Sequence, residues 1–475
     1  MKKRLAVIGA GLCGSLLSAL LRDHFHVTVI EQGRKKRPLL TDIDCPSGDV
    51  TSSINRAEGL GGTTSYWHNA LIELTDADLR KAGIRSGSLE PHYSKAWEFF
   101  LTPDELQECQ RARDRNRVAI ERGNGTVAHM VLPRSRANLW HLANQRYPGD
   151  QVEVIYGKAT KILPGTGGAP GCVSVATDAG IVQVVADQVL VCAGGLATPA
   201  LLAQSLGRDT TLCLGYHDHP MAYVAKVRLR PESRLKAVSC TTTATAEVRA
   251  GVVYEADGVK TVVYLRPATN LDVRSIQGPA RFILSDLRND PFSPRKILQL
   301  LTNLEAVREA ILFKTRAGFR GDYYSVLLFG EQNPVESRGL AIEPGKKPRL
   351  NWHVTASERF TYQTGLARFL DEFADEILET NALPADTWEF RTGAHHSGAS
   401  LQFLNDPGEL NLEYFSVKGL ANAFVCDGSL LRAAGIANSG LTLVALGHRL
   451  AELLREDRPP HPRRSAPRAC APRTG

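Results

Sequence analysis

Two adjacent histidines near the carboxyl end of the chain are the side chains best suited to move a proton. His395 and His396 precede Gly398, and an apolar run at residues 423–426 then leads into Asp427. A neutral imidazole accepts protons near neutral pH, so a histidine pair beside a glycine is typical of a general base presented to a cofactor. Histidine pairs also occur as purely structural features, and the residues alone leave both interpretations open.

Three glycines near the amino terminus form a second set of residues with a chemical use. Gly9, Gly11 and Gly14 have the G-x-G-x-x-G spacing, and Glu31 follows about 20 residues later, where the dinucleotide-binding fingerprint has an acidic residue. Glycines let a pyrophosphate approach the main chain at the positive end of a helix. The Glu31 carboxylate would bind ribose hydroxyls and repel a 2'-phosphate. The pattern predicts a bound dinucleotide.

These glycines need a strand before them and a helix after them, and the sequence predicts both. Residues 5–8 form an apolar run, leucines recur at helical spacing over 12–21, and a second apolar run at 27–30 ends in Glu31. A secretory signal is the alternative for this stretch. Glycines interrupt its apolar core and no cleavage site follows, so we keep the segment in the fold.

A second glycine-rich stretch, residues 59–70, reads GLGGTTSYWHNA. Consecutive glycines followed by hydroxyl and amide side chains suit a main chain that comes close to a cofactor and donates hydrogen bonds to it. An ordinary turn is the alternative. A third glycine turn at 193–199 follows an apolar strand but lacks the first spacing and its acidic residue, so no second nucleotide site is predicted. If the bound dinucleotide is a flavin nucleotide, we therefore expect the substrate itself, and not a nicotinamide nucleotide, to reduce it.

The segment from Tyr216 to Pro220 contains His217 and His219 in a H-x-H arrangement that is compatible with zinc or copper. No further histidine or cysteine cluster lies near it in the sequence. A structural or cofactor-adjacent loop is favoured over a metal site, and no metal is expected.

Hydrophobic periodicity predicts the remaining elements. Helices are predicted at 76–82, 91–100, 294–316, 358–379 and 441–454, and strands at 152–156, 159–163, 188–192, 323–329, 340–342 and 423–426, with a hairpin turn at 164–171. The alternation over 222–265 is typical of half-exposed strands in a β-rich second domain. The helix at 294–316 is amphipathic and suits a lid or domain-packing role, with a membrane-surface or partner-docking role as the alternative.

Composition excludes several classes of protein. The net charge is +7 over 475 residues, but the arginine-rich end supplies four of those charges, so no nucleic-acid partner is expected. Nine cysteines without a C-x-x-C motif, of which Cys13, Cys192, Cys213 and Cys426 lie in apolar segments, favour a reducing compartment and hence the cytoplasm. No apolar stretch reaches membrane-spanning length, so we expect no membrane association. The proline- and arginine-rich residues 458–475 are predicted to be disordered.

In this order, the motifs resemble those of the glucose-methanol-choline (GMC) oxidoreductases. The similarity covers the first fingerprint, GLGGTTSYWHN, VLVCAGGLATPALL, the Asp218-His219 loop and the carboxyl-terminal H-x-x-G, V-x-D-x-S and N-x-x-x-T patterns, over about residues 4–455. The nearest members in character act on sugars and related cyclic alcohols, such as pyranose oxidase and cholesterol oxidase.

The resemblance implies an α/β fold with a discontinuous Rossmann-like FAD-binding domain at 1–75, 150–221 and 396–457. A sheet-based α+β substrate or cap domain then takes 76–149 and 222–395. The implied FAD-binding residues are Gly9, Gly11, Gly14, Glu31, Gly61, Gly62, Thr63, Thr64, Asn69, Ala159 and Asp427. Tyr66 stands where some members carry a histidine linked to FAD, so non-covalent FAD is expected, and Trp67 stands where many carry an asparagine.

The same resemblance assigns His395 as the catalytic base and Asn438 as its partner, with His396 ranked second. It implies oxidation of a hydroxyl group of a sugar-like, glycoside or cyclic alcohol substrate to a carbonyl by hydride transfer to flavin N5. The electron acceptor would be O2 or a quinone or protein acceptor, and oxidase and dehydrogenase both stay open. An FAD-containing lyase and a redox-silent flavoprotein of the same fold are the alternatives.

Overall fold

A computed structural model gives the fold of most of the chain. It describes residues 2–38, 43–45, 56–67, 69–120, 126–133, 138–165, 171–208, 210–239, 241–273, 321–405, 409–433, 435–436 and 438–456, and the single positions 294, 297, 298, 301, 304 and 308. The predicted helix at 294–316 and the predicted disordered tail at 458–475 therefore lie largely or wholly outside the described residues.

The strands of the described residues fall into two large sheets and three small ones. They are β1 (Lys3–Ile8), β2 (Phe25–Glu31), β3 (Arg37–Pro38), β4 (Ala57–Glu58), β5 (Thr126–Pro133), β6 (Glu153–Tyr156), β7 (Lys158–Leu163), β8 (Gly171–Thr177), β9 (Gly180–Ala186), β10 (Gln188–Val191), β11 (Thr211–Cys213), β12 (Met221–Leu229), β13 (Thr241–Thr242), β14 (Ala246–Ala256), β15 (Val259–Pro267), β16 (Tyr323–Gly330), β17 (Gly339–Ile342), β18 (Arg349–Asn351), β19 (Ile377–Ala382), β20 (Ser416–Val417) and β21 (Leu420–Val425).

The helices cover the two large sheets. They are α1 (Leu12–Leu21), α2 (Asp76–Lys81), α3 (Glu90–Phe100), α4 (Pro103–Ile120), α5 (Leu139–Arg146), α6 (Ala197–Ser205), α7 (Leu235–Ser239), α8 (Ala356–Glu372), α9 (Leu412–Phe415) and α10 (Gly440–Arg455). Among the described residues, no helix is long and apolar enough to cross a membrane.

The first large sheet has the strand order β20-β21-β10-β1-β2-β6, in which β21, β10, β1, β2 and β6 run parallel. Its strands come from three separate parts of the chain. Because parallel strands end at the same edge, the turns after β1, β10 and β21 lie side by side. The crossover helix α1 packs against the last helix, α10, which also contacts α3. The predicted strand–turn–helix–strand order at the amino terminus is confirmed.

The second large sheet is antiparallel, with the order β13-β14-β15-β16-β12-β19 and β5 added against β14. Helix α8 packs on β14, β15 and β16, and α4 packs on β14 and β5. A parallel sheet joined to a separate antiparallel sheet agrees with the expected α/β fold. The predicted domain boundaries themselves stay a prediction.

Two expectations for this second sheet are wrong in detail. The helix predicted at 358–379 ends at Glu372, and Ile377–Ala382 is strand β19, which pairs with β12. Pairing with an existing sheet outweighs helical periodicity there, because the strand gains a full ladder of hydrogen bonds. The strands over 222–265 were expected to be half exposed, whereas β14 is buried over almost its whole length.

A buried ion pair anchors the amino-terminal end of α8 to the loop that follows β16. Arg338 is fully buried and donates to both carboxylate oxygens of Glu358, at 2.7 and 3.3 Å. Glu358 also completes a capping box with Thr355, since each residue's side chain accepts from the other's main-chain N–H. The pair is therefore desolvated, and both oxygens of the Glu358 carboxylate are hydrogen-bonded.

Replacing Arg338 with Leu should destabilise the protein by about 3–5 kcal/mol, because Glu358 would be left as a buried charge without its partner. The melting temperature of the purified protein measures the loss. Arg4→Leu is the matched control, since Arg4 forms an exposed pair with Asp187 and should leave the midpoint unchanged. Equal melting temperatures for the two variants would contradict this account of the pair.

Candidate active site

The turn between β1 and α1 is built from close main-chain contacts that only glycine permits. Gly9 has a φ of +92°, and a Cβ atom on Gly14 would lie 1.8 Å from the Gly9 carbonyl oxygen. A Cβ atom on Gly11 would meet nothing within 4 Å, so this side of the turn is open. Gly11 begins α1 without a side-chain cap and without an acidic residue in the first turn. The helix therefore presents its positive end and free main-chain N–H groups.

Glu31 lies at the end of β2 and binds three main-chain N–H groups from three segments. Its Oε2 accepts from Ala10 at 2.9 Å, and its Oε1 accepts from Gly33 at 3.0 Å and Gly59 at 2.9 Å. The side chain is buried. Since each carboxylate oxygen can accept two hydrogen bonds, Oε2 retains one acceptor site. Glu31 thus holds the two glycine-rich stretches together, and its predicted ribose contact remains a prediction that this geometry allows.

The second glycine-rich stretch packs directly on the first. Gly61 donates its N–H to the Ala10 carbonyl at 2.8 Å, and a Cβ atom on Gly62 would lie 3.1 Å from the Cα of Gly11. The stretch then forms a short 3-10 helix, Gly62–Ser65, that contains Thr63 and Thr64. Sequence analysis missed Asn138, whose side chain caps α5 and donates to the Leu60 carbonyl at 2.8 Å. An asparagine before a helical run is a recognisable cap signal.

Asp427 follows β21 and connects it to the turn after β10. Its Oδ2 accepts from the Gly194 N–H at 2.9 Å and the Thr198 hydroxyl at 2.5 Å, and its Oδ1 accepts from the N–H and hydroxyl of Ser429. Burial raises the pKa of Asp427, and these hydrogen bonds oppose the rise. All four acceptor sites of the carboxylate are occupied by the protein. The predicted role of Asp427 at the cofactor stays a prediction, and with its acceptor sites occupied the carboxylate would act by holding the turn after β10 in position.

Ala159 lies on β7, opposite Val175 of β8, in the small three-stranded sheet. This sheet begins where β6 ends beside Glu31, since Gly157 donates its N–H to the Glu31 carbonyl at 2.9 Å. The β7–β8 pairing confirms the hairpin predicted around 164–171. Ala159 is therefore three residues beyond the last β2 partner, Tyr156, and its contact with FAD stays a prediction.

The histidine pair is positioned by an antiparallel contact between two chain segments. His217 and Ser397 exchange N–H···O hydrogen bonds at 3.1 Å, and Met221 and Arg391 exchange another pair at 2.8 and 2.9 Å. These contacts bring His219 against His395, with ring centroids 5.5 Å apart. The predicted H-x-H loop therefore lies against the predicted base. No group of three metal-ligating side chains that could hold a metal ion occurs among the described residues.

His395 and His396 have different environments although they are neighbours in sequence. The Nδ1 of His396 lies 2.7 Å from the hydroxyl oxygen of Tyr216. The buried Nδ1 of His395 has no hydrogen-bond partner in the part of the chain that the structure describes. Burial lowers the pKa of His395, while the charge of Asp218 raises it and His396 lowers it further. His395 is thus the neutral imidazole with an available nitrogen.

Asn438 lies two residues before the first residue of α10, and its Oδ1 is buried without a hydrogen-bond partner within the described ranges. Trp67 packs on this end of the helix, since a Cβ atom on Gly440 would lie 2.6 Å from its ring. Asn69 is buried with a φ of +54°. The structure thus joins the second glycine-rich stretch to the start of α10, and the pairing of Asn438 with His395 stays a prediction.

Sequence analysis also missed the roles of Tyr216 and Asp218 beside the histidines. Asp218 is fully buried and accepts the N–H groups of His219 and His395 at 2.7 and 2.9 Å. Although burial disfavours its charge, His396 and His395 and the Thr392 hydroxyl hold the pKa of Asp218 below its ordinary value. The available signal was an aspartate between two histidines in an otherwise apolar stretch.

Comparison with solved structures identifies the fold. Pyridoxine 4-oxidase from Mesorbium loti matches with a TM-score of 0.57 and 16% identity, over 96% of this chain and 100% of that chain. A point variant of formate oxidase from Aspergillus oryzae RIB40, described for its effect on FAD modification, matches at 0.57 and 14%, over 96% and 98%. A further formate oxidase structure matches at 0.55 and 13%, over 96% and 98%.

These proteins are GMC-family oxidases, and the chain has the GMC oxidoreductase fold that the sequence resemblance implied. No protein-family model matches the sequence, and no curated protein matches it. At these identities the structural likeness establishes the fold.

Replacing Glu31 with Gln should destabilise the two glycine-rich stretches by about 1–3 kcal/mol, because either orientation of the amide sets an NH2 group against a main-chain N–H donor. The fall in melting temperature measures the effect. Glu153→Gln is the control, since Glu153 accepts only from the Thr28 hydroxyl at an exposed position. An unchanged melting temperature for Glu31→Gln would contradict the connecting role of the carboxylate.

Proposed function

We propose that this protein is an FAD-dependent alcohol oxidoreductase that oxidises a hydroxyl group of a sugar-like, glycoside or other cyclic alcohol to a carbonyl. The observation that carries the proposal is the neutral, half-buried imidazole of His395, whose Nδ1 has no hydrogen-bond partner among the described residues, in a chain whose fold is that of GMC oxidases. A free imidazole nitrogen of lowered pKa is suited to accept a hydroxyl proton at neutral pH.

The residues of the first turn fit the pyrophosphate of FAD. Gly11 leaves an open approach to the uncapped end of α1, and Gly62 lies against it without a side chain. Gly9, Gly14, Gly61, Thr63 and Thr64 would complete this cradle, Glu31 would take the ribose, and Ala159 and Asn69 would line the cofactor. Without a histidine at the position of Tyr66, the FAD would be bound non-covalently. The bound flavin would supply the hydride acceptor.

The protein's own groups would then divide the work of orienting the alcohol and moving its proton. His395 would accept the hydroxyl proton through a ring nitrogen, and Asn438 would donate its amide hydrogen to the substrate oxygen as negative charge develops. The carbinol carbon would lose a hydride as the hydroxyl group loses its proton, so that the alcohol gives up two electrons and two protons in all. His396, held by Tyr216, would support the turn.

An absorbance spectrum of the purified protein tests the proposal first. We expect an oxidised-flavin band that bleaches anaerobically when a panel of sugars, glycosides, polyols, sterols, choline and pyridoxine is added. The rate of recovery in air distinguishes an oxidase from a dehydrogenase. A colourless protein that cannot be reconstituted with FAD would overturn the proposal, and a yellow protein bleached by no alcohol would favour a lyase or a redox-silent role.

His395→Ala should bind FAD normally but reduce the rate of substrate-driven bleaching by about 10²–10⁴-fold, since general-base assistance has that magnitude. His24→Ala is the matched control, because His24 is exposed at the end of α1. Full activity in His395→Ala would remove the role assigned to this imidazole, whatever the substrate proves to be.

The bleaching rate should remain above half of its plateau value at pH 6.5, the ordinary pKa of histidine. Burial lowers the pKa of His395, so its neutral, proton-accepting form persists below that pH, and activity is lost only as the pH falls through the lowered value. Anaerobic stopped-flow reduction of the flavin at a series of pH values measures this limb. A rate that has already halved at pH 6.5 would contradict a depressed pKa.

A further inference from the structure

We propose that Asp218 is a positioning residue of the active site, whose carboxylate holds the turn that carries His395. The inference rests on the proposed function, because the position of His395 matters to catalysis only if His395 is the base. It gives a role to the buried carboxylate of Asp218, which does not itself accept the proton of the substrate.

The carboxylate of Asp218 accepts hydrogen bonds from two chain segments, its own and the turn 392–395. One oxygen, Oδ1, accepts the N–H groups of both His219 and His395, at 2.7 and 2.9 Å. The other oxygen accepts the hydroxyl of Thr392, whose Oγ1 in turn accepts the N–H of Ala394 at 2.9 Å. Three donors of the turn 392–395 are therefore bound to this carboxylate, directly or through one hydroxyl group.

The conformation of this turn requires such an anchor. Ala394, the residue before His395, has a φ of +58°, a left-handed conformation that is strained for a non-glycine residue. Gly393 fits only because it has no side chain, since a Cβ atom there would lie 2.7 Å from the Nδ1 of His395 and 2.9 Å from the His219 carbonyl oxygen. A strained turn persists where surrounding contacts overdetermine it, and such strain is common at functional sites.

Asp218 is connected through Gln332 to the ion pair between Arg338 and Glu358. Its N–H donates to Oε1 of Gln332 at 3.2 Å, and the same oxygen accepts from the Trp352 indole at 3.0 Å. The Gln332 amide donates to Glu358, the partner of Arg338, at 3.4 Å. This continuous network restricts the movement of Asp218. The position of the His395 imidazole is therefore fixed relative to the segment that contains Arg338 and Glu358.

The charge of Asp218 acts in addition to its geometry. The titratable side chains that face His395 from the described elements are Asp218 and His219 on the opposite segment and His396 on its own. Of these, the carboxylate raises the pKa of His395 while His396 and burial lower it. Removing the negative charge should therefore move the His395 titration to lower pH.

Two substitutions separate position from charge. Asp218→Asn keeps an oxygen that can accept from His219 and His395, and the Thr392 hydroxyl can reorient to accept from the new amide, so only the charge is lost. Asp218→Ala removes the anchor as well. Thr392→Val removes the hydroxyl that connects Asp218 to Ala394 and leaves the bond from His395 to Asp218 in place. Asp187→Asn is the control, because Asp187 pairs with Arg4 at the surface.

The test combines a titration with kinetics on the FAD-loaded protein. The histidine Cε1 resonances of 13C-labelled protein are followed against pH, with His395 assigned by its absence in His395→Ala. We expect Asp218→Asn to titrate at lower pH than the unmodified protein with unchanged flavin content. We expect Asp218→Ala to bleach with an alcohol from the panel about 100-fold more slowly, mainly in kcat, because small misplacements of a catalytic group have that effect.

A His395 titration unchanged in Asp218→Asn, or wild-type kcat in Asp218→Ala with only a lower melting temperature, would reduce Asp218 to a structural residue. If Asp218→Ala does not fold, Asp218→Asn and Thr392→Val decide, through the titration and the kcat loss respectively. If no alcohol bleaches the unmodified protein, the proposed function fails. The His395 titration then still supports or overturns the electrostatic role of Asp218.

Discussion

The structure around the candidate site depends on buried carboxylates that bind main-chain N–H groups from segments far apart in the sequence. Glu31 joins Ala10 and Gly59, Asp427 joins Ser429 and Gly194, and Asp218 joins His219 and His395. Each is 5% exposed or less. A turn made of glycines cannot be held by side-chain packing, and a carboxylate with up to four acceptor sites can hold several of its N–H groups at once.

These three carboxylates balance the cost of burial in different ways. Asp427 is surrounded by hydroxyl and N–H dipoles, and burial still raises its pKa. Asp218 has ionisable imidazoles beside it, and the pKa of its carboxyl is held below the ordinary value. The neutral groups around Asp427 stabilise its carboxylate only through hydrogen bonds. The imidazoles beside Asp218 can carry a positive charge, which attracts the carboxylate and lowers its pKa. Asp218 is therefore the carboxylate whose charge acts on His395, and Asp427 acts through the hydrogen bonds that hold its turn.

Much of the fold was predictable because local signals and tertiary structure agree there. The β1–α1–β2 unit has apolar strands, glycines at required positions and Glu31 at the expected remove, so its prediction needed no knowledge of the rest. The wrong assignment at 377–379 came from a segment whose partner, β12, lies about 150 residues earlier. Periodicity within a window cannot report such a partner.

The candidate site was predictable only in part for the same reason. His395 and Asn438 were found through their place in ordered motifs. Asp218 and Asn138 act by accepting or donating hydrogen bonds to main-chain groups of distant segments, at His395 and Leu60 respectively. Because nearly every residue has the same main-chain N–H and C=O groups, the sequence does not indicate which of these groups an aspartate or asparagine will bind.

The histidine pair also forms the joint between the two large sheets, which bears on how it would meet a cofactor. On one side, His217 and Met221 connect the segment to β12 of the antiparallel sheet. On the other, Cβ atoms on Gly195 and Gly428 would lie 2.0 and 2.4 Å from the His396 carbonyl oxygen, so that carbonyl is enclosed by the turns after β10 and β21. A side chain at either glycine would clash with this carbonyl. The main chain at His396 therefore lies directly against the two turns, and this contact fixes the position of the neighbouring His395, the proposed base, relative to the parallel sheet.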